Sequence, residues 1–208
     1  MEYQQYQKAR DKVWELLLKH GCRELPIQVS QICKKEKITL LSYGRAAPVI
    51  AALGLEAHCE NDGFTAVVET RPLIFYNERC TVQRQRFTVA HELGHLFLGH
   101  VSRGAFTIQN REPEPDDQPA EQEANVFAAR LLAPACVLWG MHARSPEDIA
   151  RLCDISRQSA AFRARRMELL YRREQVFLQR FHSSCFLRSS LERQVYEQFL
   201  DFIRAGAL

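Results

Sequence analysis

Tyr6, Ala9, Val13, Leu16 and Leu17 recur three or four apart, the spacing that lines one face of a helix, and Gly21 follows where such a helix would stop. After Pro26 the same period continues through Val29, Ile32 and Cys33, predicting a short second helix. ITLLSY, residues 38–43, then reads as a strand. Residues 64–69 and 73–77 are short runs rich in β-branched and aromatic side chains, separated by Thr70, Arg71 and Pro72, and they predict a hairpin. Residues 83–100 contain no proline and carry Phe87, Ala90, Leu93, Leu96 and Phe97 close to helical period, which predicts a third helix.

From Ser102 to Pro119 the apolar period disappears, and REPEPDDQP combines proline with acid, so a long loop is expected. Helical spacing resumes at Ala124, Phe127, Ala128, Leu131 and Leu132, and Pro134 ends it. The pattern from Ser145 onward is helical throughout. Ser145 is a natural N-cap, Pro146 suits the first helical position, and Ser156 can cap a further helix. Leu191, Val195, Phe199 and Ile203 stand four apart and predict one packing helix. There is no internal repeat. Helices around a small antiparallel or mixed sheet make an α+β fold, with a core expected over residues 1–140 and a helical extension over residues 145–208.

Composition narrows the setting. The apolar fraction is ordinary for a globular chain of 208 residues, and a net charge of +3 is too slight to demand a nucleic-acid or membrane partner. The seven cysteines are scattered, odd in number and without a CxxC pair, which argues against a disulfide framework or a thiolate zinc knuckle. The amino terminus is charged throughout and no uncharged run reaches membrane-spanning length, so a reducing cytoplasm is the expected location.

The helix predicted over residues 83–100 carries AHELGH. His91 and His95 are four apart, so both imidazoles can face a single ion, with Glu92 beside them. Zinc accepts such donors in a tetrahedral shell; a hydrolytic site needs one more protein ligand and one position left for water. His100 does not supply that ligand, because five helical steps from His95 carry it off the metal face, and a core or solvated role is favoured. A carboxylate at the head of the next helix does. Glu121 is preferred and Glu123 is the weaker candidate, while Asn125, four residues after Glu121, can orient a ligand by a hydrogen bond. In this reading Glu92 is the general base that takes a proton from the attacking water and passes it to the leaving amine. The oxyanion donor is not identified by the sequence; Tyr76 and His100 are named only as candidates. Zinc is expected, with manganese the alternative, since availability also decides occupancy.

RFTVAHELGHLFLGH followed by EQEANVFAARLLAP resembles the ImmA/IrrE family of metallopeptidases, whose members share an RFxxAHELGH helix and an ExxANxFAxxLLxP helix. The likeness extends back through GCRELPIQVSQICKKEKITLLSY and LIFYNE, covering most of residues 1–135. It implies a minimal zincin-like fold, His91, His95 and Glu121 as metal ligands, Glu92 as catalytic base, and cleavage of helix-turn-helix repressors of mobile elements or stress regulons. Two departures stand out: Ala133 where many members have methionine, and the proline-rich acidic insertion before Glu121.

In the extension, two helices joined by CDIS resemble a helix-turn-helix unit, and Arg157, Arg163, Arg165 and Arg166 make the second one basic. Nucleic-acid binding through residues 145–180 is considered but not favoured over docking onto a protein substrate, because the turn lacks the glycine common in DNA readers and arginine-rich faces are usually solvated. The rival to an endopeptidase is a non-cleaving DNA-binding or protein-binding regulator built on the same fold. An intact Glu92 argues against it, since a structural metal site has no need of a base.

Overall fold

The computed structural model describes residues 3–101, 106–109 and 118–206. It is α+β, with a small mixed sheet and a helical carboxy-terminal region. Contacts divide the chain into two units: residues 1–12 with 28–128, and residues 13–27 with 129–208. This partition differs from a linear division near residue 140. Residues 13–27 group with the late helices, where Gln198 Nε2 donates to the carbonyls of Leu17 and Cys22 at 2.9 and 2.7 Å.

The first helix, α1 (Tyr3–Lys19), is followed by Gly21 in the left-handed region at φ 61°, as the spacing predicts. α2 (Val29–Lys35) buries Val29, Ile32 and Cys33 and leads into β1 (Thr39–Ser42). Ser42 ends the strand and caps α3 (Tyr43–Leu53) by accepting from the Arg45 N–H. This helix was not expected, because Gly44 and Pro48 lie inside it; Pro48 forfeits one intrahelical bond, and burial of Ala46 and Ile50 outweighs the loss. A 3-10 turn (Glu56–Glu60) follows.

β2 (Gly63–Val68) and β3 (Arg71–Tyr76) form the expected hairpin, but Arg71 and Pro72 belong to the second strand, opposite Val68 and Val67, so the connection is Glu69 and Thr70 alone. Among the described residues the sheet has four strands in the order β1, β3, β2, β4, with β1 parallel to β3 and the other pairs antiparallel. β4 (Phe106–Gln109) corrects the expectation of an unbroken loop from Ser102 to Pro119: Phe106, Thr107 and Ile108 pair with Val68, Val67 and Ala66. The rest of that expected loop, up to residue 117, lies outside the described residues. Alternation along β2 and β3 divides the sheet faces. Phe64, Ala66 and Phe75 meet Ala46 and Ile50 of α3, with the two phenylalanine rings stacked at 4.7 Å. Thr65 and Ile74 point the other way, the side on which α4 (Val82–Leu98) packs against both strands.

α4 begins at Thr81, whose hydroxyl accepts from the Arg84 N–H, and ends at Gly99 with φ 81°. α5 (Gln118–Leu132) stops before Pro134, which serves in turn as the N-cap residue of α6 (Ala135–Gly140). Beyond it, Ser145 and Ser156 cap α7 (Pro146–Cys153) and α8 (Arg157–Phe181) as expected. The final packing helix is two, α9 (Ser190–Gln198) and α10 (Leu200–Gly206), broken at Phe199, yet Val195, Phe199 and Ile203 are all buried at the four-residue interval. All seven cysteines are free thiols. No described helix is long and apolar enough to cross a membrane.

Candidate metal centre

Glycine in HELGH has a packing cause. A Cβ built on Gly94 would lie 3.0 Å from the Ala124 Cα and 3.2 Å from its carbonyl oxygen, so α4 and α5 meet backbone to backbone at these two residues. His91 stands one turn before Gly94 on α4 and His95 directly follows it, while Glu121 stands one turn before Ala124 on α5. The contact therefore sets the distance between the two motifs. Replacing Gly94 by valine should push α5 away; overpacking of this kind costs about 1–3 kcal/mol, and a lower midpoint in denaturant together with weakened metal binding is the expected result.

Across this contact the ligand atoms converge. His91 Nε2 and His95 Nε2 are 2.9 Å apart; His91 Nε2 lies 3.2 Å from Glu121 Oε2 and His95 Nε2 lies 3.2 Å from Glu121 Oε1. These three residues could hold a metal ion. Two bonds of about 2.0–2.1 Å at a tetrahedral angle place their donor atoms about 3.3 Å apart, and all three separations are within a few tenths of an ångström of that. Donor chemistry and spacing thus fit zinc. Hydrogen bonds with His91 and then His95 hold the Glu121 carboxyl well below the ordinary carboxylate range.

Each surrounding side chain has a definite contact. His91 Nδ1 lies 3.1 Å from Asn125 Oδ1, so the amide oxygen accepts a hydrogen bond from the Nδ1–H and leaves Nε2 free for an ion, the orienting role expected of Asn125. Glu92 is 3% exposed and accepts a hydrogen bond of 2.7 Å from the Thr65 hydroxyl. Burial pushes its carboxyl up, opposed by the two histidines and Thr65. An open cleft of about 250 Å³ exposes His91, Glu92, Glu121 and Asn125, walled by Asn61, Asp62, Gly63, Phe87 and Thr88. Gly63 is required in that wall, since a Cβ there would lie 2.3 Å from Thr88 Cγ2 and 2.7 Å from the Phe75 carbonyl oxygen.

The structure does not bring all the sequence candidates to the convergence of His91, His95 and Glu121. Glu123 points away from the triangle and contacts His100, its Oε2 lying 3.3 Å from His100 Nε2. His100 in turn reaches His95, Nδ1 to Nδ1 at 3.2 Å, and lies outside the convergence of His91, His95 and Glu121. The helical projection that removed it from the metal face stops applying at Gly99, where the chain leaves α4 and turns back. Tyr76 is not among the residues lining the cleft. Thr65 was missed; its only signal was a hydroxyl in the otherwise apolar stretch FTAVV of an inner strand.

A helix-borne HExxH facing a carboxylate from the following helix, beside a small mixed sheet, defines the class: metallopeptidase cores of the zincin type. The sequence model of the IrrE N-terminal-like domain, a peptidase family, matches residues 54–172. The chain belongs to that family, the ImmA/IrrE metallopeptidases. It is similar to the radiation response metalloprotease IrrE of Deinococcus deserti, 34% identical over 97 residues that cover 43% of this chain and 34% of that protein. The protein of the same name from Deinococcus radiodurans is 32% identical over 97 residues, covering 43% of this chain and 30% of the relative. The chain thus spans about a third of the length of these curated relatives.

Proposed function

We propose that this protein is a zinc-dependent endopeptidase, with His91, His95 and Glu121 holding the ion and Glu92 acting as general base. The observation that carries the reading is the convergence of His91 Nε2, His95 Nε2 and the Glu121 carboxylate, each nitrogen 3.2 Å from one of its two oxygens, with a buried, hydrogen-bonded glutamate beside them and an open cleft in front. A scaffold ion would need no such base. When bound, the ion supplies Lewis-acid polarisation of a carbonyl and lowers the pKa of a coordinated water toward neutrality. Glu92 takes the proton of the attacking water and returns it to the leaving amine. Thr65 holds one carboxylate oxygen, so the other is the one free to face the water. Asn125 keeps the His91 ring in register. Manganese is the alternative occupant of the same donors.

The substrate in this reading is a protein, a helix-turn-helix repressor of a mobile element or stress response in the cytoplasm. The family membership and the metalloprotease names of the two relatives support a protein substrate. So does α8, where Arg163, one of the arginines that made the segment basic, is only 8% exposed. Phe162, Leu169 and Val176 are exposed on α8 at seven-residue intervals along one face, a surface that suits protein better than phosphate. The test is incubation of the zinc-loaded protein with repressors encoded beside its gene, read by mass spectrometry of the products. One discrete cut, abolished by a chelator, is expected. A repressor that binds tightly and stays whole sinks the endopeptidase reading in favour of the non-cleaving regulator.

A further inference from the structure

His100 and Glu123 lie behind the ligand triangle and have no part in the mechanism above. We propose that they form a positioning relay, in which Glu123 acts through His100 to fix the tautomer and ring orientation of His95 and to strengthen it as a metal ligand. The inference rests on the reading of His91, His95 and Glu121 as the metal site.

The proton bookkeeping allows one direction. His95 turns Nε2 toward His91 and Glu121, so a neutral ring that offers its lone pair there must carry its proton on Nδ1. The Nδ1–H points at His100 Nδ1, 3.2 Å away, which must then accept. The His100 proton is left on Nε2, 3.3 Å from Glu123 Oε2, and the chain of donors ends on a carboxylate. Reversing the chain would place a proton on His95 Nε2, between the other two proposed ligands.

The backbone is built for this contact. Gly99, at φ 81°, ends α4 in a conformation that costs glycine little, and the His100 N–H returns to the His95 carbonyl at 2.9 Å. The two rings meet edge to face, centroids 5.2 Å apart. Glu123 is only 6% exposed, and a carboxylate so placed is costly without a partner. His100 supplies that partner. The two histidines are therefore held differently: His91 by one step to a neutral amide, His95 by two steps to a carboxylate. A donor chain ending in a negative charge increases electron density on the His95 lone pair, as outer carboxylates do in metal sites generally.

The experiment is zinc affinity of the full chain, measured by competition with a chromophoric chelator, for the wild type, His100→Phe, His100→Gln, Glu123→Gln and the double variant His100→Phe/Glu123→Gln. His100→Phe should weaken binding about 10–100-fold, the usual range for loss of such a partner. His100→Gln should recover most of that affinity, because its amide can accept from His95 and donate to Glu123. Glu123→Gln should cost less than His100→Phe, and the double variant should bind no worse than His100→Phe alone, since the two groups act in series. Wild-type affinity in His100→Phe, equal losses for Phe and Gln at position 100, or additive losses in the double variant would each overturn the relay while leaving the metal site standing. A wild type that binds no zinc overturns the metal reading and the relay together.

Discussion

Glu92→Gln should reduce repressor cleavage by about 10²–10⁴-fold, the contribution typical of a positioned acid–base group, while leaving metal content and fold unchanged. The isosteric amide keeps an oxygen that can accept from the Thr65 hydroxyl, so the buried contact survives. Glu92 is not one of the three residues that converge on the ion position, so its neutral replacement removes no ligand. What disappears is the capacity to take a proton. Single-turnover cleavage with metal content measured on the same sample separates the two. A variant that cuts within tenfold of the wild type would show that the base lies elsewhere.

The second large effect distinguishes two glutamates two residues apart. Glu121→Ala should purify with little or no metal, because it removes the only carboxylate of the triangle and leaves two histidines on an incomplete shell. Glu123→Ala should still fill to near stoichiometry when metal is supplied in excess, since its carboxylate contacts His100 and not the ion position. Elemental analysis after dialysis against a limiting and an excess metal concentration reads both. Equal metal loss from the two variants would remove Glu121 from its place as third ligand.

The two motif helices and the α+β architecture were legible in the sequence because their signals are local. His91 and His95 share a face by helical period, and Pro134 marks the end of the helix that bears Glu121. Glu121 could be preferred over Glu123 on the same ground, as the residue sharing a face with Asn125. Contacts that depend on leaving a helix, or on a partner far along the chain, were not legible. His100 returns to His95 only because Gly99 adopts a positive φ, and Thr65 meets Glu92 only because β2 packs under α4. α3 was hidden for a different reason: glycine and proline oppose a helix locally, and the burial that overrides them is a property of the assembled core.

The meeting of Gly94 with Ala124 has a consequence for the chain between the two motifs. Ala124 lies downstream of Glu121, so the contact with Gly94 holds Glu121 through its own helix. The stretch between the motifs is free to differ in length and composition among relatives without moving the carboxylate, because doubling a connection costs only about 0.6 kcal/mol in closure entropy. A change in length or composition of the acidic, proline-rich stretch is therefore expected to leave the spacing of His91, His95 and Glu121 unchanged.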